Sequence, residues 1–306
     1  MRFLVVGPGA MGCLFAARLT KAGFDVTLLD YMTERAEQVN AQGIRVEGVT
    51  GEYTVKVPTI AGGLGERPDL VLICVKSYKT REVSQTIQPW LDQEIVVVTL
   101  QNGAGNVEIL QDVFGKERVL GGVTAEAATL LGPGKIKHAG QGETILGPGG
   151  DPNSPAEKLI SLFNQAGFKS RSVEKVDDLI WGKLIINVGI NALTALTRLK
   201  NGLLPEFDGT RLIMEEAVKE AVAVAEAKNI QLPYPDPLAR VIEVCDATAG
   251  NVASMLQDVL KEKITEVDFI NGAIVREGKA MGIPTPVNLT LTALVQTLHE
   301  TYHERI

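Results

Sequence analysis

One ammonium stands among apolar neighbours. In Leu179-Ile180-Trp181-Gly182-Lys183-Leu184-Ile185-Ile186-Asn187-Val188-Gly189-Ile190-Asn191-Ala192-Leu193 the polar exceptions are Lys183, Asn187 and Asn191, which recur every four residues and share one helix face. A helix that is apolar all round is buried. Burial lowers a lysine pKa towards the range that suits proton transfer near neutral pH. The competing reading is a polar seam between helices. At the other end of the chain, Gly7-Pro8-Gly9-Ala10-Met11-Gly12 follows a strand-like run and opens a helix. In GxGxxG the first glycine permits a tight turn, the second lets backbone approach a pyrophosphate, and the third lets the helix pack closely on the strand. Asp30 ends the next strand-like run, where a carboxylate accepts hydrogen bonds from a ribose 2′-hydroxyl. Lys76 and Asn102 end later strands on the same carboxyl edge, the edge at which open α/β sheets bind ligands. Asn251 and Ser254 lie by a helical stretch and Glu266 opens another. For Glu266 alone, an acid favouring a helix N-terminus would suffice, because Thr265 and Asp268 resemble a capping box.

These residues need elements to position them. Arg2–Val6, Asp25–Leu29, Leu70–Val75 and Ile95–Leu100 read as strands, and Met11–Lys21, Thr33–Ala41, Thr80–Leu91 and Val107–Val113 as the helices between them. Such alternation implies a parallel sheet with helices on both faces, a doubly wound Rossmann-type α/β domain. Ile44–Glu47, Glu52–Val57, Lys135–His138 and Thr144–Leu146 read as shorter strands near glycine-rich turns, with hairpins among the options. One more helix–strand unit, Ala156–Ala166 and Ser170–Val173, places the boundary between residues 172 and 173. Beyond it, Lys175–Leu199, Thr210–Lys228, Leu238–Val244, Val252–Leu260, Thr265–Met281 and Val287–Tyr302 carry helical periodicity. The expected architecture is an α/β dinucleotide-binding domain over 1–172 and an all-α substrate domain over 173–306.

Composition narrows the classes. The 306 residues are 45% hydrophobic and 22% charged, enough to bury cores in two domains and too apolar for a disordered chain. With Lys+Arg 30 and Asp+Glu 37 the net charge is −7, which argues against a general nucleic-acid binder. No uninterrupted apolar run reaches the ~18 residues of a membrane helix. Cys13, Cys74 and Cys245 form no CxxC pair. A soluble, cytoplasmic, reduced protein is the expectation. His299 and His303 have the spacing of two metal ligands, but no third cluster accompanies them, so no metal is expected and a solvated helix face is. His138 has no evident acidic partner in the sequence, and Glu215, Glu216 and Glu220 read as a solvated face.

GPGAMG, VKSYKT, LQNGAGN, WGKLIINVGINALTAL, NVASMLQDV and KITEVDFINGAIV together resemble the ketopantoate reductase (2-dehydropantoate 2-reductase) family over essentially the whole chain. The resemblance implies NAD(P)H-dependent reduction of ketopantoate to pantoate, in pantothenate biosynthesis. It implies Lys183 as the general acid and Glu266 as a group touching both the substrate hydroxyl and the cofactor ribose. Asn102 becomes a contact of cofactor and substrate, and Asn187, Asn191, Asn251 and Ser254 become substrate contacts. Asn201 follows by spacing from Lys183, and Ala127 would line the nicotinamide end. The implied partner is a small-molecule 2-oxo acid, with no nucleic acid and no membrane, and a homodimer as the open assembly option. Alternatives are a reductase of another 2-oxo acid, a β-hydroxyacid dehydrogenase and a non-catalytic dinucleotide sensor.

On the cofactor the residues and the resemblance part. The family's habit implies NADPH, with a basic residue just after the second strand, whereas this chain has Asp30-Tyr31-Met32 and then Arg35. A carboxylate at ~4 Å from a 2′-phosphate, at an effective dielectric near ~20, costs several kcal/mol per unit of like charge before screening. Asp30 therefore suggests NADH or dual use.

Overall fold

The computed structural model describes residues 1–152 and 154–304. The chain divides into two compact units. Unit 1 comprises Met1–Gln101 and Asn106–Val176, and unit 2 comprises Asn102–Gly105 and the chain from Asp177 onward.

Unit 1 runs β1 (Arg2–Val6), α1 (Ala10–Lys21), β2 (Asp25–Leu29), α2 (Thr33–Gln42), β3 (Ile44–Gly48), β4 (Tyr53–Val55), β5 (Thr59–Ile60), β6 (Leu70–Ile73), α3 (Thr80–Ile87), β7 (Val96–Thr99), α4 (Asn106–Phe114), β8 (Val119–Thr124), β9 (Ala127–Gly132), β10 (Lys135–Gly140), β11 (Glu143–Gly147), α5 (Pro155–Gln165) and β12 (Lys169–Ser172). The main sheet is eight-stranded in the order β12-β11-β8-β7-β6-β1-β2-β5, parallel except where β11 meets β8. β1 lies centrally and is buried from Phe3 to Val6, as a strand covered on both faces must be. Its register sets Val6 opposite Leu29 on one side and Ile73 on the other, and Ile73 opposite Thr99. The residues just past these strands therefore share the carboxyl edge, among them Gly7, Asp30 and Cys74. On α1, Phe15 stacks on Phe168 with ring centroids 4.7 Å apart, anchoring the helix to the chain after α5.

A second sheet, β4-β3-β10-β9, gives the two hairpins, β3–β4 and β9–β10. The strand read at Thr144–Leu146 joins no hairpin of that sheet but enters the main one as β11. β8 and β9 escaped the sequence reading because Gly121, Gly122 and Gly132 look like turn signals. Gly121 and Gly122 instead pair with Gly147 and Leu146 of β11.

Unit 2 is helical: α6 (Val176–Thr197), beginning at the boundary, then α7 (Asp208–Ala227), α8 (Pro237–Ala247), α9 (Ser254–Leu260), α10 (Asn271–Met281) and α11 (Pro286–Glu300). α6 has 22 residues and a mean hydropathy that would let it cross a membrane by length and composition, despite the absence of a long unbroken apolar run. It is instead a core helix, with 67% of its apolar 18-residue stretch buried. Leu184, Ile185, Val188 and Leu193 are all less than 5% exposed. Each such burial is worth about 1.5–3 kcal/mol relative to exposure.

The single helix expected over Thr265–Met281 is broken. Val267–Phe269 forms a 3₁₀ turn, and Ile270, at φ −109 and ψ −93, separates it from α10. The Phe269 carbonyl accepts a hydrogen bond from Ala104 N at 2.9 Å, so it is diverted from helix continuation. The expected capping box is absent as well. The Thr265 hydroxyl accepts from Val267 N at 3.3 Å, and the Asp268 carboxylate accepts from Gln296 Nε2 at 2.6 Å.

Candidate active site

The glycine loop of unit 1 has the geometry of an anion cradle. Gly7 sits at φ +111, and a Cβ at Gly12 would lie 1.9 Å from the Gly7 carbonyl oxygen, so the loop closes only without side chains there. At Gly9 a Cβ would meet nothing within 4 Å, which leaves the backbone facing open space. No side chain caps α1 and no acid stands in its first turn, so its leading N–H groups remain for a negative charge. These residues fit a dinucleotide pyrophosphate.

Asp30 is less simple than its position suggested. Its side chain is fully buried and accepts from Tyr31 N at 2.6 Å and Met32 N at 3.0 Å. Arg35 completes the set, with Nε donating to Oδ2 at 2.6 Å and an Nη2 bond to Oδ1. The pair is bidentate, the strong form of ion pair. The Arg35 guanidinium also lies over the Tyr31 ring at 4.7 Å, and Tyr31 is exposed. Asp30 thus presents a neutralised pair at the strand end rather than a bare carboxylate.

Between β6 and β7 a polar lattice fixes the same edge. Gln101 Nε2 donates to the Val75 carbonyl at 2.7 Å and to Thr80 Oγ1 at 2.9 Å, and Thr80 Oγ1 donates to Asn106 Oδ1 at 2.9 Å. Lys76, the residue after Val75, is half-buried. Ala127 is exposed at the start of β9.

Unit 2 gathers the other candidates. Lys183, Asn187 and Asn191 lie on α6, the first two half-buried and Asn191 only 4% exposed. Burial pushes the Lys183 pKa down to about 8, against a smaller upward pull from the Glu266 carboxylate. Glu266 is 8% exposed and caps no helix with its side chain. Asn102 enters the same unit because Gly103, at φ +88, packs where a Cβ would lie 2.3 Å from the Phe269 carbonyl oxygen. Asn201 is buried, its Nδ2 donating to Thr248 Oγ1 at 2.9 Å and its backbone N to the Asn251 carbonyl at 3.2 Å. Asn201 Oδ1 is buried without a hydrogen-bond partner. Asn251 and Ser254 are exposed at the start of α9. The structure therefore divides the sequence-derived set. Gly7–Gly12, Asp30, Lys76 and Ala127 fall in unit 1, and Asn102, Lys183, Asn187, Asn191, Asn201, Asn251, Ser254 and Glu266 in unit 2.

The ketopantoate reductase PanE/ApbA family model matches residues 3–151, and the model of that family's C-terminal part matches residues 175–299. The chain belongs to the ketopantoate reductase family. The 2-dehydropantoate 2-reductase of Pyrococcus horikoshii is 33% identical over 303 residues, 97% of each chain. A PanE/ApbA family ketopantoate reductase from Ralstonia eutropha JMP134 superposes with a TM-score of 0.90 at 33% identity, covering 98% of this chain and 99% of the other. D-mandelate dehydrogenase with NADH and anilino(oxo)acetate superposes with a TM-score of 0.92 at 29% identity, over 98% and 99%.

Within this ketopantoate reductase fold, sequence reasoning missed several supports and misread others. Gln101, Thr80 and Asn106 carried no signal beyond a polar residue near a strand end. Glu220, read as solvated, accepts from Val287 N at 2.8 Å and Asn288 N at 2.9 Å, capping the first turn of α11. His138, read as lacking an acid, is fully buried and bonded through Nε2 to Glu126 at 2.6 Å, with Arg18 on the same carboxylate at 3.3 Å. His299 is half-buried rather than solvated, and its Nδ1 accepts from Thr265 N at 3.4 Å. Sequence distance hid these pairs.

Proposed function

We propose that the protein reduces ketopantoate to pantoate with NAD(P)H, and that Lys183 is the general acid. The observation that carries this reading is the Lys183 ammonium, set in an apolar helix, opposed by Glu266 and lowered to about 8. A group of that pKa is charged at neutral pH and gives its proton readily to an alkoxide. A nicotinamide held by these residues would supply the hydride to the ketone carbon. Lys183 stabilises the charge that develops on the ketone oxygen and then transfers a proton from Nζ to it. Ser254 and Asn251, exposed at the start of α9, hold the substrate carboxylate. Asn187 and Asn191 extend the polar stripe that orients the substrate, Asn102 contacts substrate and cofactor, and Asn201 supports the Asn251 backbone. Glu266 accepts a hydrogen bond from the substrate hydroxyl and from the ribose. On the other unit Gly7–Gly12 cradle the pyrophosphate, Lys76 meets the ribose-phosphate portion and Ala127 lines the nicotinamide end.

For the cofactor's 2′ position, the Asp30–Arg35 pair supports dual use. Arg35 offsets the carboxylate that would repel a phosphate and retains N–H groups to bind it, while a 2′-hydroxyl meets a neutral pair. A second reading, reduction of a different 2-oxo acid, is supported by the likeness to D-mandelate dehydrogenase. Turnover of ketopantoate and a panel of aryl and branched 2-oxo acids, with NADH and with NADPH, tests both. Ketopantoate with the highest kcat/KM is the expected outcome, and an aryl substrate exceeding it replaces the reading. The pH sign is fixed by the lowered lysine. Reduction needs the ammonium, so kcat/KM is level below about 8 and falls above it, whereas kcat/KM for oxidation of the hydroxy acid rises through the same range.

A further inference from the structure

The chain between α7 and α8 carries Pro233-Tyr234-Pro235 across α6 one residue before Lys183. The Tyr234 hydroxyl donates to the Gly182 carbonyl at 2.7 Å. Gly182 admits the strap only because it lacks a side chain, since a Cβ there would lie 2.8 Å from Pro233 Cδ. Two further bonds fix the strap's ends: Asp178 of α6 accepts from Gln231 N at 2.9 Å, and Asp236 caps α8 by accepting from Ala239 N at 2.9 Å. Strap and helices line an open depression of about 420 Å³, bordered among others by Lys183, Ile186, Pro233, Tyr234, Arg240 and Glu243.

We propose that Tyr234 is a positioning residue for Lys183, its hydroxyl tying the strap to α6 and its ring walling water away from the ammonium. The inference rests on the reading of Lys183 as the proton donor. The charges around Lys183 agree with it. From α8 come Arg240 and Glu243, both exposed and bonded to each other at 2.5 Å, so they add little net field. Ahead of α10 stands Glu266, whose carboxylate favours the ammonium. After α7 comes Lys228, which is engaged with Glu277 at 2.7 Å. Desolvation is the dominant influence on Lys183, and the strap packs on the helix turn that carries it, with Tyr234 and Lys183 bordering one depression. Tyr234 is itself half-buried, its phenol pushed up to about 12 by burial, so it remains a neutral donor to Gly182.

Competitive acetylation of the full chain with acetic anhydride across pH, read on the Lys183 peptide by mass spectrometry, tests the proposal without relying on turnover. Tyr234→Ala is expected to move the Lys183 titration up by about one pH unit or more, towards the value of a solvated lysine. Tyr234→Phe, which keeps the ring and drops the tie to Gly182, should move it up by less, and it carries the test if the alanine variant does not fold. The alkaline fall of kcat/KM should shift by the same amount. A folded variant whose kcat drops at every pH while the Lys183 titration stays at the wild-type position has only a structural Tyr234, and that overturns the proposal. If the titration shifts but no 2-oxo acid is turned over by the wild type, the positioning stands and the reading of Lys183 as proton donor falls.

Discussion

Asp30 in unit 1 and Lys183 in unit 2 are both charges withdrawn from water, and the fold treats them in opposite ways. Asp30 is met on both carboxylate oxygens, by two backbone amides and one edge of a guanidinium. Lys183 is desolvated more than Glu266 compensates, and its pKa falls to about 8. The difference suits the roles proposed for the two charges. A group that holds a ligand works best when its geometry is fixed and its protonation never changes. A proton donor must release its proton at working pH, so part of its stabilisation has to be withheld.

Four substitutions break or sharpen that comparison. Lys183→Ala should have the largest effect, lowering kcat by ~10² or more while the circular dichroism spectrum stays native, because it removes the proposed proton donor. A folded variant with near wild-type turnover would remove Lys183 from the chemistry. Arg35→Ala comes next. It strips Asp30 of its cation, so kcat/KM with NADPH should fall about tenfold, ~1.4 kcal/mol, and with NADH much less. Equal losses with both cofactors would mean that Arg35 only braces Asp30.

Ser254→Ala should raise the substrate KM by roughly three- to tenfold with kcat nearly unchanged, since the carboxylate contact proposed for it would be made in ground and transition states alike. A kcat loss at constant KM would give Ser254 a role nearer to that of Lys183. The smallest kinetic effect belongs to Glu220→Ala, which touches neither charge but uncaps α11. It should cost about 1–2 kcal/mol of stability in urea unfolding, with kcat and KM unmoved.

The amino-acid sequence by itself determined the alternating α/β half, the helical half, the glycine loop and the Lys183–Asn187–Asn191 stripe. Each is written in local periodicity or in a short run of backbone-permissive residues, so no distant contact is needed to read it. The broken helix at Ile270 was beyond that reach, because the Phe269 carbonyl is diverted by Ala104, a residue far earlier in the chain. The same holds for Glu220 on Asn288, 68 positions apart, and Arg18 on Glu126, 108 apart. The polar stripe could name Lys183, but only the tertiary structure lowered its pKa. Desolvation is set by whatever covers a group, and the strap bearing Tyr234 comes from 52 residues beyond the Gly182 it covers.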